Sequence, residues 1–328
     1  MKSRATTLLL LGLSVLSCDK VKELANRART SVENKVAENS NGSADGTVDP
    51  TLQKLVDQTP EGIIFRKDLP FPSSLEVTTT LREEVTGRLY QSSAIEKHAE
   101  DKKGTKMVVV KLERAGDQVR YTLEQSSFTV LPTEGAPVPK DAAADQPKKV
   151  AIASKPVTYQ KSPKGWRCST SEGFRAAVIS KELSPMFDEL LSEYALAPRT
   201  LWFGKRRFKP GDQIPISGNS LPMLLSGTAT GSLNLTFEKA DSVQGHPCGM
   251  FSITGDFSRK QFPDFEGNLT DQDLTIESGK IWLSLIYPII MKQELSTIQT
   301  TKSGGHGGST ERVQGKIKVF LSRDWKSK

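Results

Sequence analysis

The stretch that decides the fold is Lys106–Val130, which reads KMVVVKLER, AGDQ, VRYTLEQSSFTV. Both arms are rich in β-branched and aromatic residues, which suit a pleated strand. The short polar connection between them contains Gly116 and Asp117, residue types that are common in tight turns. The stretch therefore predicts a β-hairpin.

Strand-like segments of similar character continue on both sides of this hairpin, separated by turns rich in Gly, Ser and Asp. We therefore predict a β-dominated α+β fold built on one or more antiparallel sheets. A half-barrel is one shape that such a sheet could take. The other predicted strands are Leu75–Leu81, Val150–Ser154, Val157–Gln160, Gly165–Ser169, Arg175–Ile179, Gln213–Ile216, Thr228–Phe237, Cys248–Phe257, Leu269–Glu277, Ile281–Tyr287, Ile289–Gln299 and Val313–Leu321.

One longer helix is predicted among the strands, around residues 184–194 (SPMFDELLSEY). Ser184 suits the N-cap and Pro185 the first helical position, and the apolar residues fall on one face. We expect that face to pack on the sheet. A short helix is predicted over Thr51–Gln58, and residues 131–149, rich in Pro, Ala and charge, are predicted to be an exposed loop.

The first eighteen residues have the pattern of an export signal. Lys2 and Arg4 precede a short apolar run, Leu8–Leu16, which is too short to span a bilayer as a helix. The run ends in Val15-Leu16-Ser17-Cys18, which resembles the lipobox of bacterial lipoproteins. The resemblance implies cleavage before Cys18, diacylation of its sulfur and acylation of the new amino terminus. The alternative is an ordinary signal peptide of a secreted protein.

Residues 18–50 are predicted to separate this anchor from the folded domain. Residues 20–38 carry a narrow apolar stripe at helical spacing with charges on the other face, as in a helical stalk. The stalk could act as a spacer, lie on the bilayer or associate with a second copy, and residues 39–50 read as a flexible linker. The predicted organisation is a signal peptide (1–17), a stalk with linker (18–50) and a β-rich domain (51–328).

Composition narrows the class of protein. The chain has 328 residues, 36% of them apolar, with only three cysteines and a net charge of +7. Three cysteines exclude a disulfide-rich miniprotein, and no stretch is long enough for a multi-span membrane protein. Loss of residues 1–17 removes Lys2 and Arg4, so the mature charge is +7 − 2 = +5. The remaining basic residues are scattered, and no nucleic-acid partner is predicted.

Two cysteines remain once Cys18 is assigned to the anchor. Export favours a disulfide between Cys168 and Cys248. The alternative is a pair of thiols, one of them a nucleophile, because His246 stands two residues before Cys248 and residues i and i+2 of a strand share a face. Pro247 between them favours a turn, which argues against that geometry.

No sequence signature of a known catalytic site, cofactor or metal site is present. The carboxylates near 264–273, namely Asp264, Glu266, Asp271 and Asp273, are candidates for a hydrolase acting on wall or glycan. A cationic loop, defined as Lys205, Arg206, Arg207 and Phe208, is a candidate for contact with headgroups or a polyanion. Its alternative is a connector between two elements of the fold.

Three further stretches resemble uncharacterised β-rich bacterial envelope lipoproteins. They are residues 62–72 (GIIFRKDLPFP), 201–204 together with 210–212 (LWFG and PGD), and 245–248 (GHPC). The resemblance implies a location at the cell envelope and a β-rich fold, and it assigns no catalytic residue. We expect a lipid-anchored protein with a non-enzymatic binding or structural role, its partner an apolar ligand or an envelope polymer. Asp19 after the anchor leaves the choice between inner and outer membrane open.

Overall fold

A computed structural model describes residues 48–66, 69, 71–92, 97–131, 156–162, 165–168, 203–217, 229–263, 269–287, 289–304 and 310–327. One short helix, α1 (Pro50–Gln53), precedes the strands. The strands are β1 Asp57–Thr59, β2 Gly62–Ile64, β3 Ser74–Ser92, β4 Lys97–Ala115, β5 Gln118–Leu131, β6 Val157–Ser162, β7 Gly165–Cys168, β8 Gln213–Ser217, β9 Ala229–Val243, β10 His246–Pro263, β11 Leu269–Ser284, β12 Ile290–Gly304 and β13 Thr310–Ser327.

Eleven of these strands form one antiparallel sheet in the order β7-β6-β5-β4-β3-β13-β12-β11-β10-β9-β8. Strands β1 and β2 pair separately as a small hairpin. Within the large sheet, every two adjacent strands are consecutive in sequence except β13 and β3, and the consecutive strands β7 and β8 lie at opposite edges. That pairing runs without a register shift from Leu75 opposite Ser327 to Ser92 opposite Thr310. The predicted β-dominated, antiparallel architecture is confirmed.

The hairpin predicted at Lys106–Val130 is present as β4 and β5. Gly116 and Asp117 form its turn, and Gly116 has φ +58, a left-handed backbone conformation that glycine adopts without strain. The amide of Gly116 donates a hydrogen bond to the carbonyl of Ser73 at 2.7 Å. The turn is therefore held against the start of β3.

Most strands are longer than their apolar segments predict. The prediction Leu75–Leu81 became a strand that continues through Arg82, Glu83 and Glu84 to Ser92. Charged residues break the apolar alternation there, yet each finds a cross-strand neighbour, such as Lys106 opposite Glu83 with 3.9 Å between their charged groups. Pairing on both sides by β4 and β13 extends the strand where local sequence does not.

Apolar side chains of the domain pack into two clusters. We name the first the tyrosine cluster: it joins β3, β4 and β5 to the start of β10 and to residues 286–291, and it includes Tyr121, Tyr159 and Tyr287. We name the second the phenylalanine cluster. It joins β8–β11 to the β1–β2 hairpin and to residues 203–208 and contains Phe65, Phe203, Phe208, Phe237, Phe251 and Phe257.

Several predicted segments lie outside the described residues and stay predictions. They are the signal peptide, the stalk, the loop beyond residue 131, the helix around 184–194, and the strands Val150–Ser154 and Arg175–Ile179. The half-barrel shape also stays a prediction. The predicted helix Thr51–Gln58 is shorter than expected, because Asp57–Thr59 pairs with β2 instead. In the part of the chain that the structure describes, no helix is long and apolar enough to cross a bilayer.

Candidate functional site

A buried histidine–serine pair lies where β10 meets the end of β11. The turn Gln244–Gly245 has positive φ at both residues and starts β10 at His246. The imidazole of His246 is 2% exposed, and its Nε2 lies 2.7 Å from Oγ of Ser284. The two residues are 38 positions apart in sequence, so the pairing of β10 with β11 brings them together.

The hydroxyl of Ser284 closes the turn that follows β11. Its Oγ accepts hydrogen bonds from the amide of Ile286 at 3.1 Å and from the amide of Tyr287 at 2.9 Å. Because both lone pairs are then in use, the hydroxyl proton points to Nε2 of His246. With that proton on Ser284, Nε2 of His246 is the acceptor of the pair. The turn also explains why the predicted strand Ile281–Tyr287 ends at Ser284.

Aromatic rings enclose the pair. The ring of Trp325 lies 5.3 Å from the ring of His246 and stacks on Tyr287 at 5.0 Å, and Phe71 stacks on Tyr287 at 5.5 Å. Ser284 is fully buried. The histidine–serine pair thus lies in the core, where it serves as a hydrogen-bond partner for buried backbone amides.

Cys248 does not pair with the imidazole of His246, which was the alternative to the disulfide. Its Sγ donates a hydrogen bond to the backbone carbonyl of His246 at 3.3 Å, while the imidazole bonds Ser284. Pro247 lies within β10, so the turn predicted there was wrong; its carbonyl accepts from the amide of Leu285 at 3.0 Å. Cys168 is described as the last residue of β7. The disulfide between Cys168 and Cys248 is not confirmed and stays a prediction.

The aromatic member of the cationic loop faces inward. Phe208 is fully buried in the phenylalanine cluster, and its backbone pairs with Ile63 through two hydrogen bonds of 2.8 and 3.0 Å. The guanidinium of Arg206 lies 4.3 Å over the Phe208 ring and donates to the carbonyl of Gln213 at 2.7 Å. Phe208 is therefore a core residue that joins the β1–β2 hairpin to the sheet.

The charged members of the loop differ in exposure. Arg207 donates to the carboxylate of Asp57 at 2.8 Å and to the carbonyl of Gly62 at 3.2 Å. Lys205 is exposed to solvent. The loop thus connects two elements of the fold, and Lys205 is its member best placed to meet a partner.

The two described carboxylates of the acidic segment lie on β11. Asp273 accepts from the hydroxyl of Ser258 at 2.7 Å, and Asp271 lies 3.3 Å from the ammonium group of Lys260. Their side chains are 46% and 41% exposed. This is a solvated, hydrogen-bonded arrangement and not a desolvated pair of acids, while Asp264 and Glu266 lie outside the described residues.

Metal ligands show no comparable grouping. Over the described ranges, no three His, Cys, Asp or Glu side chains are arranged to hold a metal ion.

A carboxylate–indole contact was missed by the sequence interpretation. Nε1 of Trp282 donates to Oδ2 of Asp241 at 3.0 Å, and the Nζ of Lys292 lies 4.7 Å over the indole ring. Burial raises the pKa of Asp241, but the indole, the amide of Ser242 and the charge of Lys239 together hold it below its ordinary value. The contact joins β9 to β11 across β10, and no local sequence motif predicts it.

A fully buried arginine was also missed. Nε of Arg323 donates to Oγ1 of Thr79 at 3.3 Å, and one terminal nitrogen donates to the carbonyl of Ile290 at 2.6 Å. Burial raises the pKa of nearby Tyr121, and the charge of Arg323 opposes that shift. The guanidinium therefore links β13 to β3 and β12, at the end of the sheet where the tyrosine cluster lies.

Beyond the two clusters the sheet keeps a buried apolar row, which we name the inner row. Ile317 lies directly opposite Val85, and Val313 is four residues away on the same face of β13. All three are buried, and none belongs to either cluster. Thr297 and Thr301, also buried, flank this inner row on β12.

Comparisons with known proteins leave the chain without an assigned family. No family model matches it, and no curated protein matches it. A solved structure described as "Lipid-protein interactions in lipovitellin" aligns over 78% of this chain with a TM-score of 0.35 and 8% identity. The match spans about a quarter, 26%, of the lipovitellin chain. At this score and identity the likeness assigns no function.

Proposed function

We propose that the protein is an exported bacterial envelope lipoprotein, held at a membrane by acyl chains on Cys18, with a non-enzymatic binding or structural role. Its β-rich domain would engage an apolar ligand or an envelope polymer. The anchor rests on the residues Val15–Cys18 that follow a basic start and a short apolar run. Two lipid signals on one cysteine suffice for stable attachment, whereas a single chain does not.

The inner row is the observation that carries the binding role. Val85, Val313 and Ile317 place aliphatic side chains on one face, outside the two clusters, and all three are buried. Threonine hydroxyls flank them, and one, on Thr297, already donates to the carbonyl of Ile317 at 3.1 Å. Buried side chains of this composition would line a site for an acyl chain or another elongated apolar ligand better than one for a polar substrate.

The placement of the polar candidates supports binding over catalysis. Ser284 spends its hydroxyl on two backbone amides and His246. Asp271 and Asp273 lie exposed beside lysines, whereas a glycosidase requires an acid whose environment favours its protonated form. We therefore rank the wall- or glycan-directed hydrolase second.

We expect Ile317→Thr to weaken binding of a fluorescent long-chain fatty acid about tenfold, because the change removes apolar contact worth about 1.4 kcal/mol. Fluorescence titration of purified protein measures this affinity. Ile298→Thr is the matched control: it is the same change on the outward face of β12, where Ile298 is 40% exposed.

The control should bind the fatty acid as the native protein does. An equal loss in both variants, or no saturable binding by the native protein, would remove the inner row as the site. Thermal unfolding of each variant distinguishes a loss of binding from a loss of folded protein. Ile317→Phe enlarges the side chain and keeps the row apolar, so its effect on fatty-acid affinity tests the same site through size instead of polarity.

Replacement of Cys18 by alanine is expected to move the processed protein from the membrane fraction to the soluble fraction, because the acylated sulfur is lost. Fractionation of cells measures the distribution, and mass spectrometry of the amino-terminal peptide measures the acyl chains. Cys168→Ala is the matched control and should stay on the membrane. A processed Cys18→Ala protein that remains there would contradict the anchor.

A further inference from the structure

The outward face of the sheet opposite the inner row is exposed and charged. Along β13, residues 312, 314, 316 and 318 are exposed while 313 and 317 are buried, as expected of a strand with one covered face. Residues directly opposite one another in an antiparallel pair share a face. Lys316 lies opposite Ile298 on β12, and Arg312 lies opposite Tyr90 on β3 and Lys302 on β12.

Four adjacent strands contribute cations to this face. We name the set the basic strip: it consists of Arg88 on β3, Lys103 on β4, Lys302 on β12, and Arg312, Lys316 and Lys318 on β13. The same strands add two carboxylates to that region of the face, Glu84 and Asp101. On these four strands cations outnumber carboxylates by six to two; the neighbouring β11 adds Asp271, Asp273 and Glu277 to the same face, which leaves an excess of one cation.

Three of the cations have carboxylate neighbours that water reaches. Arg88 lies 3.4 Å from Asp101, Lys316 lies 2.6 Å from Glu277, and Lys302 lies 4.0 Å from Asp273. Each of these three cations is more than half exposed. Exposed pairs contribute little to stability, so they can exchange a carboxylate for another anion at small cost.

The other cations are less engaged. Within the described part of the chain, Lys103 and Lys318 take part in no ion pair, and Arg312 donates to the side-chain oxygen of Gln314 at 3.2 Å. Their charge is available to an external anion.

Exposed apolar side chains lie among these cations. Tyr90 is 39% exposed and Ile298 is 40% exposed, and they are the large apolar side chains that the described surface exposes most. The guanidinium of Arg88 lies 5.9 Å from the centre of the Tyr90 ring. A tyrosine and an aliphatic residue set among basic groups match the interface of a bilayer, where apolar parts enter and charges meet the headgroups.

We propose that the basic strip docks the domain on the surface of an anionic lipid bilayer. The proposal rests on the proposed lipid anchor, which would hold the domain at a membrane in the first place. With residues 20–38 helical and the rest extended, the chain from Cys18 to Val48 spans up to about 65 Å, so the tether leaves this face able to reach the bilayer. Charge complementarity identifies the partner as anionic headgroups, and the exposed Tyr90 and Ile298 favour a bilayer over a soluble polyanion.

The experiment measures sedimentation of the mature chain, residues 18–328, with vesicles. Cys18→Ala is present in every variant, so that sedimentation of the protein with vesicles measures binding by the basic strip and not by the acyl anchor. Vesicles contain phosphatidylcholine with or without phosphatidylglycerol, at low salt. Lys302→Gln, Arg312→Gln and Lys316→Gln together should weaken binding to the anionic vesicles about 100-fold, since each cation near such a surface contributes a factor of about five.

The matched control combines Lys54→Gln, Arg120→Gln and Lys161→Gln, an equal change of charge at exposed positions away from the strip and from the cationic loop. It should bind within about twofold of the unmutated face, and raised salt should weaken both proteins. A loss in this control equal to that of the strip variant would show that overall charge and not the strip drives docking, and would overturn the proposal.

Other outcomes also decide. Unchanged binding by the strip variant, or equal binding to vesicles with and without phosphatidylglycerol, overturns the proposal. Binding to soluble polyphosphate without binding to vesicles shifts the partner to a polyanion, and Tyr90→Ser with Ile298→Ser should reduce vesicle binding only. Failure of the anchor itself is seen separately, as an unacylated Cys18 in the native protein.

Discussion

Replacing Gly249 by valine is expected to lower the free energy of unfolding by about 3 kcal/mol. Gly249 lies in β10 beneath the ring of Phe65, the centre of the phenylalanine cluster. A Cβ placed at position 249 would lie 2.9 Å from Cε1 of Phe65, closer still to its Cζ, and 3.1 Å from Phe237. The ring cannot move aside, because Phe203 stacks on it at 4.4 Å and Phe251 contacts it at 5.2 Å.

Chemical denaturation of the purified domain measures this loss. Thr254→Val, a β-branched replacement at an exposed position of the same strand, is the control and should change stability by less than about 0.5 kcal/mol. Combining Gly249→Val with Phe65→Leu should cost less than the sum of the two single changes, since the smaller side chain makes room. Additive losses would show that Gly249 and Phe65 do not share this space.

The fold was predictable where local signals coincide. At Gly116 and Asp117 the turn residues, the β-branched arms and the arm lengths all indicate one hairpin, and β4 and β5 form it. The extension of β3 beyond Leu81 was not predictable, because it depends on Lys106 and on the full pairing with β13. That pairing joins segments far apart in the chain, and single-sequence periodicity carries no information about such partners.

The candidate site was predictable in residue type but not in geometry. His246 and Cys248 stood out as reactive groups, yet their partners are Ser284 and a backbone carbonyl. From the sequence, Phe208 was interpreted as an aromatic residue among cations. Its backbone pairing with Ile63 instead directs its side chain into the core. For His246 and Phe208 a residue from a distant strand decides the role, and only the folded sheet brings the two together.

The two faces of the sheet suggest one arrangement at a membrane. Neighbouring residues of β13 point in opposite directions, so Ile317 belongs to the inner row while Lys316 and Lys318 belong to the basic strip. If the strip meets headgroups, the inner row, which is buried on the opposite face, points away from the bilayer surface. Binding and docking would then use separate residues, and Ile317→Thr should leave vesicle binding unchanged.

Removing the hydroxyl of Ser284 by Ser284→Ala is expected to destabilise the domain by about 3 kcal/mol or more. The change leaves the buried amides of Ile286 and Tyr287 and Nε2 of His246 without this partner, and each buried polar group left unsatisfied costs about 1–3 kcal/mol. Ser296→Ala is the control: its hydroxyl bonds an exposed carboxylate, Glu277, at 3.3 Å, and its loss should cost little.

A double-mutant cycle with His246→Phe tests the same network from its other side. The phenyl ring can keep the packing against Trp325 and Tyr287 but accepts no hydrogen bond, so it removes the need for the Ser284 proton. Once His246 is gone, Ser284→Ala should cost less than it does in the native protein, although the two amides still lose their acceptor. If Ser284→Ala lowers the free energy of unfolding equally with and without His246, the whole effect comes from the turn after β11. The histidine–serine hydrogen bond would then contribute nothing to stability.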